Sequence, residues 1–287
     1  MEPLNDLGRR LHITHRTGYR YADVVDASFN EVRMTPLSEG GQLLLSHSLE
    51  VHPTANVQKY NDYWGADVEA FDVHVPHRVL EVIAISTVDT PPKPARIPGL
   101  TWTDVLAPNV QDRFSEYLES TQYVDDAFAD ADRAPIATAM INAATPEDAA
   151  QVALRAVRDR ITYTSGITDV STTASEAWAS MHGVCQDFSH AALSLLRAAK
   201  IPARYVSGYL HTEEQAAGLT VIGESHAWVE YWDGRWHSMD PTNDRSVGAA
   251  HVIVARGRDY ADVPPLKGIY AGGHSEVLGV SVEITQL

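Results

Sequence analysis

The stretch that most limits what this chain can fold into is Gly183-Val184-Cys185-Gln186-Asp187-Phe188-Ser189-His190, running on into Ala191-Ala192-Leu193-Ser194-Leu195-Leu196. A glycine-led turn gives way to apolar residues at three- and four-residue intervals, Val184, Phe188, Ala191, Leu195 and Ala199, the period of a helix with one side packed inward. Pro202 would disrupt a continuation, so the helix stops near Lys200. The only cysteine of the chain, Cys185, therefore stands in the first helical turn. Unpaired backbone N–H groups and the positive end of the helix dipole favour an anion there, and the same N–H groups can receive an oxyanion. Cys185 reads as a nucleophile.

The remaining composition narrows the setting. At 287 residues the chain is long enough for one large or two modest domains. One cysteine cannot form an internal disulfide, which suits a reducing cytoplasm. The first ten residues are polar and lack the apolar stretch of a secretory signal, and no apolar run approaches the ~20 residues of a membrane span. A formal charge of −16 argues against nucleic acid or an anionic membrane as partner.

Alternation marks the N-terminal third as strands. Leu11, Ile13, Tyr19 and Tyr21 share one face of a strand, and Leu43, Leu45, Leu49 and Val51 share one face of another. Phe71, Val73 and Val75 give a third strand, and Val79 to Val88 is apolar on both faces, as in a covered strand. Residues 1–88 are expected to form a β-rich, sandwich-like domain whose exposed edges could pair two copies. The proline-rich segment 89–105, with Pro91, Pro92, Pro94 and Pro98, reads as a linker. Residues 106–287 then carry helical patterns after Pro108, after Thr145-Pro146-Glu147-Asp148 and over Ala174–Met181. Strands are expected at Ala203–Leu210, Ser225–Trp232, Arg235–Asp240 and Val277–Ile284. The fold class is α+β.

A thiol nucleophile needs a base, and the base needs an orienting group. His226, on the strand Ser225–Trp232, is the base candidate, and Asp240 on the next strand is the orienter. A two-residue Asp233-Gly234 loop would turn their side chains to opposite faces. A three-residue loop, Trp232-Asp233-Gly234, with Gly234 left-handed, pairs Tyr231 with Arg235 and sets Asp240 directly across from His226 and Ser238 across from Trp228. The second register is expected, because only it unites the pair.

The segments Gly183–Phe188, Ile201-Pro202-Ala203-Arg204-Tyr205-Val206-Ser207-Gly208-Tyr209, Ser225-His226-Ala227-Trp228-Val229-Glu230 and Met239-Asp240-Pro241-Thr242-Asn243 together resemble the bacterial transglutaminase-like family, and the resemblance covers nearly the whole chain. Asn30-Glu31-Val32-Arg33 resembles part of that family's N-terminal region, and Gly257–Val263 its closing segment. Trp64-Gly65-Ala66 departs from the Gly-Asn turn of relatives. The resemblance implies a papain-like core with the nucleophile at a helix N-terminus against an antiparallel sheet. It implies Cys185 as nucleophile, His226 as base and then acid, and Asp240 as orienter.

Around these three stand oxyanion and supporting candidates. Gln186 offers a side-chain donor, although its backbone N–H and that of Cys185 are better placed, and Asp187 and His190 are expected to anchor the helix. Trp228, with Trp178, Trp232 and Trp236, either walls an acyl groove or packs in the core. His182, Cys185, Asp187 and His190 do not suit a metal, because positions 185 and 190 lie about 140° apart around a helix. No cofactor is called for. The expected chemistry is attack on a peptide or amide of a peptide or protein substrate, through a thioester resolved by water (hydrolase) or by an amine (transglutaminase). A non-catalytic peptide-binding protein of the same fold is the rival reading.

Overall fold

A computed structural model describes all residues except 1–7, 94–96, 127, 129, 213–217, 219, 224, 244 and 273. The polar start of the chain and Pro94 of the proline-rich segment thus lie outside the described residues. Six strands come first: β1 (Arg9–Val25), β2 (Ser28–Val32), β3 (Leu43–His52), β4 (Val57–Asn61), β5 (Asp67–Val73) and β6 (His77–Thr90). Two short helices, α1 (Trp102–Val105) and α2 (Pro108–Arg113), precede the longer α3 (Asp130–Ile141) and α4 (Pro146–Arg160). Then come β7 (Thr162–Tyr163), α5 (Ala174–Ser180), β8 (His182–Gly183) and α6 (Cys185–Ala198). Strands complete the chain: β9 (Ala203–Leu210), β10 (Thr220–Gly223), β11 (His226–Trp232), β12 (Trp236–Asp240), β13 (Arg245–Ser246), β14 (His251–Gly257), β15 (Leu266–Tyr270), β16 (Ser275–Val277) and β17 (Ser281–Gln286).

The class is α+β, with a β-sheet region at the N-terminus and a core of helices packed on an antiparallel sheet. One antiparallel sheet runs β10-β17-β1-β6-β3, with β16 also on β1, and a second runs β15-β2-β5-β4. The C-terminal strands β16 and β17 therefore pair with β1 and not with the strands around His226. One face of the long strand β1 is buried along nearly its whole length, but against two different bodies. Leu11 and Ile13 join the core built around α4, α5 and α6, whereas Tyr21 and Val25 pack with Val32, Phe71 and Val73 of the second sheet. His15 and Thr17 sit where one body gives way to the other.

Two strands differ from the sequence expectation. The β3–β6 register shifts between Leu44 and Ser46, a bulge at Leu45. It moves Leu44 to the inner face with Leu49 and Val51 and leaves Leu43 and Leu45 exposed. In β6 one face is fully covered, with Leu80, Val82, Ala84 and Val88 buried, and the other only in part, with Ile83 buried and Val79 and Ile85 half-buried. Val75 lies beyond β5 and is exposed. The helix α3 carries Pro135 in its interior, which hides it from a periodicity reading.

At the centre lies α6, buried on every side from Gln186 to Arg197 and packed on the sheet β13-β12-β11-β9-β14. Its C-terminus closes as a Schellman turn: Lys200 is left-handed (φ 61°), its N–H bonds Arg197 O, and Ile201 N–H bonds Leu196 O. The buried Arg197 guanidinium donates to the carbonyls of Glu119, Ala203 and Arg258, tying the helix to three other segments.

Leu193 is fully buried in this core, so Leu193→Ala should cost about 2–5 kcal/mol in urea unfolding. Leu45→Ala, on the outward bulge, should stay within about 0.5 kcal/mol. A Leu45→Ala loss as large as that of Leu193→Ala would contradict the bulge.

Candidate active site

The site is built by the start of α6 and the edge of β11. Gly183 is required just before the helix, because a Cβ there would lie 2.6 Å from the Cβ of Asp187. Asp187 folds back to accept from Val184 N–H at 2.7 Å and from the Thr168 hydroxyl at 2.7 Å, fastening the helix start and the 164–170 loop together. Burial pushes the Asp187 carboxyl up in spite of these two bonds. The half-buried Cys185 sulfur is thereby held at the first turn, 4.0 Å from Ser225 O.

His226 opens β11 and pairs with Gly208 of β9. The hairpin register differs from the one expected. Trp232 faces Trp236 and the loop is Asp233-Gly234-Arg235, with Gly234 left-handed (φ 106°). Ser238 therefore faces Glu230, and Asp240 reaches the Trp228 level, two residues from the position directly opposite His226. The physical reason is Glu230, a buried carboxylate that accepts from Ser238 on β12, Arg204 on β9 and Arg256 on β14. The register that satisfies this charge across four strands prevails. A shift of two residues preserves the sheet face, so Asp240 still reaches His226 along the diagonal.

Asp240 Oδ2 lies 2.8 Å from His226 Nε2. The carboxylate also accepts from Thr242 N–H (2.9 Å), Asn243 N–H (3.2 Å), Asn243 Nδ2 (2.9 Å) and His251 Nε2 (3.4 Å). Burial works to raise its pKa, but the bonds from His226, His251 and Asn243 outweigh that and hold it well below the usual carboxylate range. Burial likewise works to lower the His226 pKa. The hydrogen bonds to Asp240 and to the Cys185 sulfur outweigh it and push the ring up to about 10. With Nε2 engaged by Asp240, Nδ1 is the ring nitrogen left for the sulfur. The arrangement can hold a proton between sulfur and ring and keep the ring in one orientation.

The other candidates separate. Gln186 donates its side chain to Val170 O at 3.2 Å, which leaves the backbone N–H groups at the helix start for an oxyanion. His190 is fully buried between Tyr123 and Tyr205, accepts from Tyr260 N–H, and is pushed down to about 3 by burial, so it anchors the helix. Trp228 stacks behind His226 and meets His251 edge-on. Trp178 packs on Phe128, and Trp232 and Trp236 pack on Phe114. None of these four tryptophans lines the cleft at Cys185, so core packing is their role. That cleft has a volume of about 680 Å³ and opens at the seam between the β1 sheet and α6.

Two further residues were not singled out from the sequence. His251 begins β14, a β-branched run that signalled a strand, and shares Asp240 with His226. Asn243, three residues after Asp240, covers the same carboxylate. Among the described residues, only His226, Asp240 and His251 bring potential metal-ligand atoms together, all within 4.8 Å. His182, Cys185, Asp187 and His190 do not converge. No helix among the described residues is long and apolar enough to cross a membrane.

Residues 135–241 match the transglutaminase-like superfamily, and residues 11–89 match the bacterial transglutaminase-like N-terminal region. The chain is 41% identical over 279 residues to the uncharacterized protein ML0607 of Mycobacterium leprae, covering 97% of this chain and 99% of that protein. A 65-residue stretch is 45% identical to a protein-glutamine gamma-glutamyltransferase of Pseudomonas aeruginosa, covering 21% of this chain and 10% of that one. The fold is similar to the crystal structure of a "putative cysteine protease" from Cytophaga hutchinsonii, with a TM-score of 0.76 at 20% identity over 98% of this chain and 91% of the other.

A folded pKa above the unfolded value means that His226 stabilises the fold fully below about pH 6.5 and loses that contribution as pH rises through about 10. Unfolding free energy from urea titrations should fall across that window in the wild type. It should fall less in Asp240→Asn, and an equal slope in both would contradict the coupling.

Proposed function

This chain belongs to the bacterial transglutaminase-like family, and on that premise we propose that it is a thiol-dependent hydrolase of peptide or amide bonds working through a Cys185 thioester. The observation that carries the reading is that Cys185, at the head of α6, and the His226 ring, held by the Asp240 carboxylate at 2.8 Å, line one cleft. The Cys185 thiolate attacks the carbonyl carbon, forming the C–S bond as the π pair moves to oxygen. The oxyanion is met by the backbone N–H groups of Cys185 and Gln186 at the head of α6. Collapse re-forms the carbonyl and breaks the C–N bond, and the leaving amine takes the proton of the His226 imidazolium. The neutral ring then draws a proton from water, which attacks the thioester and releases the acid and the thiolate. Asp240 orients the ring throughout and stabilises its charge.

Water is favoured over an amine as the resolving group. The described residues lining the cleft include no Asp or Glu to hold a cationic lysine acceptor. The alternative, a peptide binder without chemistry, leaves the buried His226–Asp240 pair beside Cys185 without a purpose.

Rapid quench with a p-nitrophenyl ester should show by intact mass one acyl adduct, on Cys185. It should be absent in Cys185→Ala, and His226→Ala should form it about 10³-fold more slowly or less. Decay of the adduct should yield free acid even with millimolar alkylamine present. Accumulation of the amide would reassign the resolving step, and no adduct on Cys185 would overturn the reading.

A further inference from the structure

Among the described residues that line the seam cleft, His15 is a buried polar side chain with a ring nitrogen that neither the fold nor the proposed chemistry uses. His15 lies on β1, is 1% exposed and lines the cleft together with Cys185 and His226. Its Nδ1 is 3.0 Å from the Tyr209 hydroxyl, and that hydroxyl lies 3.5 Å from Met34 O, to which it donates. Nδ1 is engaged by the Tyr209 hydroxyl in either tautomer of the ring, which leaves Nε2 as its other polar atom. His15 Nε2 is buried with no partner among the described residues. A buried polar atom left unpaired is destabilising, and the backbone amide of an occupant of the cleft would relieve it. Burial pushes the ring down to about 4, so it is neutral at pH 7 and attracts no carboxylate.

The walls have an equally definite chemistry. Charged residues make up 21% of the chain, yet no Asp, Glu, Lys or Arg is among the described residues that line the cleft. Its outer rim is apolar and exposed: Tyr163 and Val170 on the α6 side, Ile222, Val277 and Val280 on the β17 side. Exposed aliphatic side chains collected around one opening mark a surface that a partner covers. Val282 and Ile284 continue the apolar wall inward along β17.

We propose that the cleft selects an uncharged, apolar acyl-donor segment, gripped between the Tyr163–Val170 and Ile222–Val280 rims and anchored by a backbone amide hydrogen-bonded to His15 Nε2. The assignment rests on the thiol chemistry proposed above, because it takes the segment to be the one whose carbonyl reaches Cys185. His15 is a positioning and specificity residue and takes no proton in the reaction. A charged side chain in the cleft would lose its hydration with no counter-charge from the described lining residues, so charged segments bind more weakly.

The experiment uses the full chain and acetyl-tripeptidyl chloromethyl ketones whose residues are all leucine, all lysine or all glutamate, with iodoacetamide as a probe that needs no cleft. Modification is read by intact mass, with KI and kinact fitted separately. The leucine ketone should show a KI at least tenfold below the other two. His15→Asn keeps a group at the Nδ1 position for Tyr209 but removes the one at Nε2, and should raise the leucine-ketone KI about tenfold. His15→Gln restores a polar group at the Nε2 position and should recover most of that loss. A merely structural role for His15 predicts that both variants lose alike, or that the change falls on kinact, and either result overturns the assignment. Equal KI for the three ketones, with Cys185 still alkylated rapidly by iodoacetamide, overturns the cleft proposal while leaving the thiol chemistry standing. Slow iodoacetamide alkylation unaffected by His226→Ala overturns both.

Discussion

Everything at the site depends on keeping one carboxylate ionised where water cannot reach it. Asp240 is buried, and an unpaired charge there would be far too costly to retain. The fold meets this cost locally, with two backbone N–H groups and the Asn243 amide from the turn after β12, and at longer range with His251 from β14. With its charge met in this way, the carboxylate stays ionised and holds His226 at 2.8 Å. Trp228, packed behind the ring, blocks the rotation that would turn it away from the sulfur.

The same sheet carries a second buried charge, and the two are linked. Glu230, bonded by Arg204, Arg256 and Ser238, fixes the alignment of β9, β11, β12 and β14. Since strand alternation has a period of two, that alignment also decides which face receives Asp240. A network remote from the sulfur thus determines whether the imidazole and carboxylate meet. The cleft has a comparable origin: β1 carries a single buried face across two bodies, and the seam between them falls at His15 and Thr17, beside the head of α6.

Much of this was legible in the chain. The helices α4, α5 and α6 announce themselves by periodicity and caps, and Cys185, His226 and Asp240 follow from their placement on a helix start and a hairpin. The hairpin register was misread by two residues because turn rules leave open which three residues form the loop, and the deciding contact, Glu230 to Ser238, lies beyond the turn. The pairing of β16 and β17 with β1 is a contact across more than 250 residues that no local pattern encodes. His251 and His15 escaped notice for a related reason. His15 takes its partner from Tyr209, 194 residues on, and His251 meets Asp240, 11 residues back, only through the stacking of separate strands in one sheet, although His15, in step with Leu11 and Ile13, is readable as a polar residue on an apolar face.

The central claim is that the His226 ring carries its proton at neutral pH because it lies between sulfur and carboxylate. Imidazole-nitrogen NMR on protein labelled at histidine tests it most directly. The account predicts that both His226 nitrogens remain protonated from pH 6 to pH 8, with the Nε2 proton shifted far downfield by Asp240, and that Cys185→Ala lowers the titration midpoint. A His226 ring that titrates near pH 6.5 in the wild type, and does so unchanged in Cys185→Ala, would contradict it.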